Sequence, residues 1–499
     1  MELIFQEKLS NYPERILWDE RELEETVDLI IPDSYPDAVN VINAFGTPLI
    51  YSVDLGQDQL TLNGEVQGGV IFEGSDGQIR SVRARVPFSL RRDLKFQEEL
   101  MKPQCICRLI SVDARVLNSR KLLLRATVSC GLNVFARREY RFYDLEDPAP
   151  ILQLKRTQLP IRLPVSMGEK SFSMQEELVI PQGIPEAVHL LKTAYTPRIL
   201  ECKPVGDKAV FKGELRIEVL YECGDESLCA QDWIIPFSQY AALDQNCDES
   251  ELTVSLCLSS ADTQIDSQDG GRLLTSVELI AHCTAMDLCN IDLIEDAFCT
   301  EGEMTPDFIT DELTAILDRQ NFCQSVSLHG EWDVKSILWS HCYPTKTSRR
   351  REEEYVYIEQ GVSCDVLYYD GENQLKGCTL RGQTELRIPL GMNAQCRVTE
   401  VQCEKALCAV GPDGIKVTLP LELWVESTVQ QELCGIRSAE IVSETVETKR
   451  PALILRFTEE QSSVWEIAKS CRTSEKAIRE ANDLVEDSIP ANTLLLIPL

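Results

Sequence analysis

The chain has 499 residues, 43% of them hydrophobic, an ordinary globular fraction spread over a length that asks for three or four domains rather than one core. Its 49 Lys and Arg face 81 Asp and Glu, a net charge of −32, which argues against nucleic acid and against direct docking on anionic lipid or an acidic wall. The opening Met1-Glu2-Leu3-Ile4-Phe5-Gln6-Glu7-Lys8 has no basic region, apolar stretch or small-residue cleavage site, and no run approaches the roughly 18 apolar residues of a membrane span. Neither a signal peptide nor membrane insertion is expected, and the cytoplasm is the expected compartment.

Residues 1–23 read as an N-terminal segment, followed by a first unit over 24–150. Within it Asp37–Asn43, behind Pro36, reads as a single helical turn opened by the proline, and Glu73-Gly74-Ser75-Asp76-Gly77 as a hairpin turn. The Pro-rich Asp147-Pro148-Ala149-Pro150 is a joint. A second unit, 172–300, repeats the first at a fixed offset of 149. Leu29, Ile31 and Pro32 map to Leu178, Ile180 and Pro181; Pro36, Ala38 and Val39 map to Pro185, Ala187 and Val188. Thr47-Pro48 maps to Thr196-Pro197, Gly64-Glu65 to Gly213-Glu214, and Pro87-Phe88-Ser89 to Pro236-Phe237-Ser238, with no gap. Glu186–Lys192 is therefore a second expected helical turn. Gly64 and Gly213 mark a bulge or a close approach of backbones in matched strands.

A third, worn unit covers 323–436. Val366-Leu367-Tyr368 resembles Val219-Leu220-Tyr221, and Ile388-Pro389-Leu390 resembles Ile235-Pro236-Phe237, but Ser336–Tyr357 replaces the Pro-rich start. Glu301-Gly302-Glu303-Met304-Thr305-Pro306 and Glu444–Pro451 are the remaining joints. Ala209–Tyr221 and Lys416–Val425 alternate apolar and polar residues, the mark of half-buried antiparallel strands. The expected fold is mainly β: three homologous antiparallel β-sandwich or open-barrel units plus a small C-terminal βααβ module.

No catalytic grouping emerges. His189 has Asn40 as its repeat counterpart and no Ser or Cys motif beside it, so a surface or packed histidine is expected. Gly68-Gly69 and Gly270-Gly271 do not precede helices and cannot be phosphate loops. Arg349-Arg350-Arg351-Glu352-Glu353-Glu354 nearly cancels its own charge and reads as a solvated loop. The 20 cysteines include no Cys-x-x-Cys pair and only 4 histidines accompany them, so most are expected to be reduced, buried small hydrophobes, with no metal site and no cofactor. The chain is not expected to be an enzyme.

The tail, 452–499, differs from everything before it. Leu453–Phe457 is a strand, and Ser463 and Glu466 form a capping box ahead of Val464, Ile467, Ala468 and Cys471 at helical spacing. A second helix runs from about Ser474 to Ala481, and Thr493–Ile497 closes as a strand before Pro498. Val464-Trp465-Glu466-Ile467-Ala468-Lys469, Asn482, Ile489-Pro490 and Leu494–Pro498 resemble the LysM domain, a family best known for binding N-acetylglucosamine glycans. Gln461-Ser462-Ser463 stands where the family has Gly-Asp-Thr, and Pro490-Ala491 where it has Pro-Gly. Both departures remove a glycine that lets a ligand approach the backbone, which turns the expectation from a sugar to a protein. Trp465 reads as a core residue rather than a stacking platform. The expected partner-binding residues lie on the two loops flanking the LysM groove: Glu460, Gln461, Ser462 and Ser463 on one, and Asn482, Asp483, Leu484, Val485, Ile489 and Pro490 on the other.

The repeated Ile-Pro-x3-Pro-acidic-Ala-Val segments at Ile31–Val39 and Ile180–Val188, the Gly-Glu strand and the Pro-Phe-Ser strand resemble the SPOCS domain of spore-coat proteins. SPOCS repeats followed by LysM resemble the SipL-type coat morphogenesis family. That resemblance implies a non-enzymatic adaptor in the mother-cell cytoplasm at the forespore surface. Its LysM domain would bind the coat-basement morphogenetic ATPase, with other coat proteins as further partners. The alternative is a peptidoglycan-binding accessory protein of the spore cortex or cell wall.

Overall fold

The computed structural model describes residues 2–499 except 57, 95–98, 102, 147, 443–451 and 459. The joint at Glu444–Pro451 lies outside the described residues. Antiparallel strands dominate, and the only two α-helices among the described residues are in the tail. Three times over, six strands wind in the same order. In the first unit Gln6–Ile30 pairs with Lys121–Asp144, which also pairs with Gln104–Asn118. Opposite lies the meander Ala38–Leu55, Gln59–Gly74, Ile79–Asp93. The second unit sets Leu152–Val179, Arg272–Cys299 and Glu251–Ile265 against Ala187–Val205, Lys208–Cys223 and Leu228–Ala242. The third sets Glu303–Gly330, Gly414–Val442 and Ala394–Cys403 against Ser336–Glu352, Tyr355–Tyr369 and Leu375–Pro389.

Alternation builds each sandwich. In Lys208–Cys223 the inward Ala209, Phe211, Leu215, Ile217, Val219 and Tyr221 are fully buried, and each large side chain removed from water contributes about 1.5–3 kcal/mol. Gly213 interrupts this row for a reason. A Cβ there would stand 2.3 Å from the Arg198 carbonyl oxygen and 2.4 Å from the Phe237 ring, and Gly64 meets Leu49 and Phe88 in the same way. The cross-strand phenyl lies over the bare glycine, opposite a bulge in the neighbouring strand at Ile199/Glu201 or Ile50/Ser52.

The expected helical turns are absent. Asp37 leads straight into the strand Ala38–Leu55, and the turn lies earlier, where the Tyr35 N–H donates to the Pro32 carbonyl at 2.9 Å. Bulges at Ala38/Asn40 and Val41/Asn43 recur at Ala187/His189 and Leu190/Lys192. Each inserts a residue, so the buried Ala38, Ile42 and Phe45 fall four and three apart and imitate a helix. His189 is an exposed strand residue. The Arg349–Glu354 run is solvated as expected, all six residues being exposed, but it is the end of a hairpin rather than a loop, with the turn at Glu353-Glu354. Arg349, Arg350 and Arg351 end the strand Ser336–Glu352, and Arg349 and Arg351 donate to the carbonyls of Cys396 and Gly391.

In the third unit the strand Ser336–Glu352 occupies the place of the missing Pro-rich start. Leu367 pairs beside a bulge at Ile337/Trp339 as Leu220 does at Leu190/Lys192, so Val366-Leu367-Tyr368 matches as expected. Ile388-Pro389-Leu390 does not match. Ile235 pairs with Leu215, whose counterpart Val362 pairs with Gly382, whereas Ile388 pairs with Val356.

The opening and closing strands of each unit run past their sandwich as a two-stranded ribbon. Residues 6–16 pair with the end of Lys121–Asp144, so this part of the N-terminal segment is paired strand. The ribbons of all three units share a core of Tyr140, Ile161, Ile291, Leu313 and Leu433. The sandwiches close into a ring around a second shared core, in which Ile42, Phe45 and Ile71 of the first unit meet Leu191, Ala194 and Leu220 of the second and Trp339 and Leu367 of the third. The matched bulge residues Asn43, Lys192 and Trp339 converge there. The Lys192 ammonium donates to Asn43 Oδ1 at 3.0 Å, lies 5.4 Å from the Trp339 ring centre and 3.7 Å from the Asp365 carboxylate. Around the rim, Arg83–Asp262, Asp232–Lys405 and Arg381–Asp113 join the fourth strand of one unit to the fifth-strand region of the next. A heterologous contact made three times closes the ring within one chain.

Candidate partner-binding surface of the C-terminal module

Helix α1 (Val464–Cys471) starts where the sequence places it. Ser463 Oγ accepts from the Glu466 N–H at 3.1 Å and Glu466 Oε2 accepts from the Ser463 N–H at 3.2 Å. Helix α2 (Glu475–Asn482) is capped by Ser474, whose Oγ accepts from the Ala477 N–H at 3.1 Å. The strands Leu453–Phe457 and Leu494–Pro498 pair beneath them. Val464, Ile467, Ala468, Ile478, Ile489, Leu495 and Ile497 fill the core.

The two candidate loops meet. Ser462 and Ser463 form a short ladder with Ile489 and Ser488, the Val464 N–H donates to the Asp487 carbonyl at 3.0 Å, and Gln461 Nε2 donates to Ser488 Oγ at 2.7 Å. Much of the polar backbone along this groove is therefore satisfied within the module. Several candidates carry internal duties. Ser463 caps α1; Asn482 donates to the Ile478 and Leu496 carbonyls and accepts from the Leu496 N–H. Ile489 is buried and Leu484 packs against the core. The Pro490 carbonyl accepts from the Thr458 and Thr493 hydroxyls. Glu460, Gln461, Asp483, Val485 and Pro490 face solvent, Val485 at 92% exposure. The left-handed residue of the last turn is Asn492, φ 63°, so the chain turns there without the family's glycine at position 491.

Two features escaped the sequence reading. The first is the outward face of the module's sheet. Leu453, Leu455 and Phe457 alternate outward, with Phe457 opposite Leu494 and Leu455 opposite Leu496. Leu455, Phe457 and Leu494 are 63%, 55% and 61% exposed. Together these side chains form an apolar patch on the outer face of the sheet. It was legible as five alternating positions in Leu453–Phe457 and Leu494–Leu496, but such short apolar strands read as core.

The second is how the module sits on the body. Trp465 is buried, though not by the module alone. Its indole N–H donates to Asp296 Oδ2 at 2.8 Å and its ring meets Phe298 edge-on with centres 5.0 Å apart. Lys469 Nζ lies 2.7 Å from both Asp296 oxygens. Burial pushes the Asp296 carboxyl pKa up, but the Lys469 and Trp465 hydrogen bonds outweigh it and hold the group below its ordinary value. Asp296 follows a bulge at Ile294, which aims its side chain at α1. Nothing in one-dimensional spacing announces that contact.

Residues 186–265 match the family described as SipL, SPOCS domain, and residues 460–498 match the LysM domain. The first match covers the meander and fifth strand of the second unit. No curated protein and no solved structure matches the chain. The chain thus carries a SipL-type SPOCS domain and a C-terminal LysM domain, both non-catalytic families. Among the described residues no helix is long and apolar enough to cross a membrane.

Proposed function

We propose that this SPOCS–LysM chain is a non-enzymatic spore coat assembly adaptor. The closed ring of sandwiches is the scaffold. The LysM module binds the coat-basement morphogenetic ATPase at the forespore surface, in the mother-cell cytoplasm, and other coat proteins take the acidic body. What carries the reading is the outward apolar face of Leu455, Phe457 and Leu494 together with the bare Val485. An exposed apolar cluster beside polar loops is the composition of a protein contact. The self-paired loops, with Ser462 and Ser463 laddered to Ser488 and Ile489, point the same way.

The test is a pull-down of the purified ATPase by the full chain and by the double variant Leu455→Ser, Phe457→Ser. Interface anchors cost about 1–2 kcal/mol or more each, so affinity should fall at least roughly tenfold. Both side chains face solvent, and the melting temperature should hold. Undiminished binding overturns the assignment. The peptidoglycan reading keeps one argument, the LysM match itself over 460–498. Co-sedimentation with purified peptidoglycan that chitooligosaccharide competes away would favour it.

A further inference from the structure

Cysteine spacing along the chain argues against a metal, yet the fold gathers ligands that spacing keeps apart. Cys105 lies on the fifth strand of the first unit, Cys257 on the fifth strand of the second, and His282 on the strand after it. All three are buried, and one ligand atom from each lies within 4.8 Å of the other two. Cys105 Sγ and His282 Nε2 are 3.7 Å apart. In a tetrahedral zinc site, bond lengths of about 2.3 Å to sulfur and 2.0 Å to nitrogen put neighbouring ligand atoms about 3.5–3.8 Å apart. The observed spacing already suits one edge of that tetrahedron.

The outer shell fits as well. His282 turns its other nitrogen, Nδ1, to Glu169 Oε2 at 3.4 Å. A carboxylate on the far nitrogen fixes the tautomer that leaves Nε2 free as a ligand, the usual arrangement around metal-bound histidine. A cleft of about 330 Å³, lined by Gln104, Gly168 and Asp244, reaches the His282 and Glu169 side of the cluster.

We propose that Cys105, Cys257 and His282 bind a zinc ion that staples the first sandwich to the second, with the fourth position taken by water. Binding replaces the two S–H bonds with metal–sulfur bonds and releases two protons; no electron is transferred. Two thiolates and a neutral imidazole around a divalent cation leave no net charge in a buried place, which removes the main cost of putting an ion there. Three ligands with an oxygen-donor fourth suit zinc better than calcium or magnesium, which select oxygen donors throughout.

The experiment uses the full chain, purified under reducing conditions, stripped with chelator, and titrated with Co(II) alone and then Zn(II) alone. One Co(II) per chain should bind with the thiolate charge-transfer and visible bands of a four-coordinate site, and Zn(II) should bleach them stoichiometrically. Cys257→Ser should abolish these bands, and Cys403→Ser, on the third unit, should keep them. Glu169→Gln leaves all three ligands and should weaken affinity about 10–100-fold while the band positions hold. That variant answers for the case in which Cys257→Ser does not fold. Bands that survive in Cys257→Ser, or an affinity unchanged in Glu169→Gln, would overturn the site. A Cys105–Cys257 disulfide that survives the reducing purification in the metal-free protein would overturn it too.

Discussion

Replacing Asp296 with alanine should release the LysM module from the body. The carboxylate takes a charge-assisted hydrogen bond from the buried Trp465 indole at 2.8 Å, a kind of contact that contributes about 1.5–3 kcal/mol. Its pairing with Lys469, whose side chain is 46% exposed, adds only about 0.2–1 kcal/mol after solvent screening. Together they set roughly 2–3 kcal/mol against an edge contact with Phe298 that contributes about 0.5–1.5 kcal/mol and remains in the variant. The docking equilibrium constant should therefore fall by a factor of roughly 30–150. The readout is hydrogen exchange of the Trp465 indole N–H by NMR, which should speed up by that factor while the amides of α1 keep their protection. Asp296→Asn, which retains an acceptor, should fall between. The pH dependence has a fixed sign. The docked pKa is depressed, so the contribution is complete above the free aspartate value near about 3.9 and is lost as pH falls through the lower docked value. Unchanged indole exchange in Asp296→Ala, or undocking already at pH 6, would refute the reasoning.

Other expectations concern the body. Gly213→Ala puts a Cβ against the Arg198 carbonyl and the Phe237 ring, so the strands must part, and about 1–3 kcal/mol of stability should be lost in urea unfolding. An unchanged midpoint would mean the close approach is not rigid. Lys192→Met should cost about 3–5 kcal/mol by leaving the buried Asp365 without its cation, and adding Asp365→Leu should recover most of it; no recovery would show that the ammonium serves Asn43 instead. Iodoacetamide on the native chain should label Cys323 and Cys434, which are exposed, long before Cys283, whose thiol burial pushes up to about 12. Peptide mapping that found Cys283 labelled first would contradict the sandwich core.

The strands and the duplication were readable because both are local. Alternation is written into consecutive residues such as Ala209–Tyr221, and the offset of 149 carries the bulges along with it. The tail helices were readable for the same reason: Ser463 and Glu466 are three residues apart and cap one turn. Readings failed where a residue was inserted or where distant segments met. The bulges before Asn43 and Lys192 gave strand starts a helical rhythm. The convergence of Asn43, Lys192 and Trp339, the seat of Trp465 on Asp296 and Phe298, and the cluster of Cys105, Cys257 and His282 all come from ring closure or docking, and no spacing encodes them. In the candidate loops, sequence could name the residues but not their duties. Asn482 and Ile489 are committed inside the module while Val485 is bare.

The decisive measurement is a pair of calorimetric titrations of the full chain, one with the purified coat-basement ATPase and one with chitooligosaccharide. Saturable heat is expected for the ATPase and not for the sugar, and it should disappear in Leu455→Ser, Phe457→Ser. Saturable binding of the glycan, with none for the ATPase, would contradict the idea that this module recognises a polypeptide.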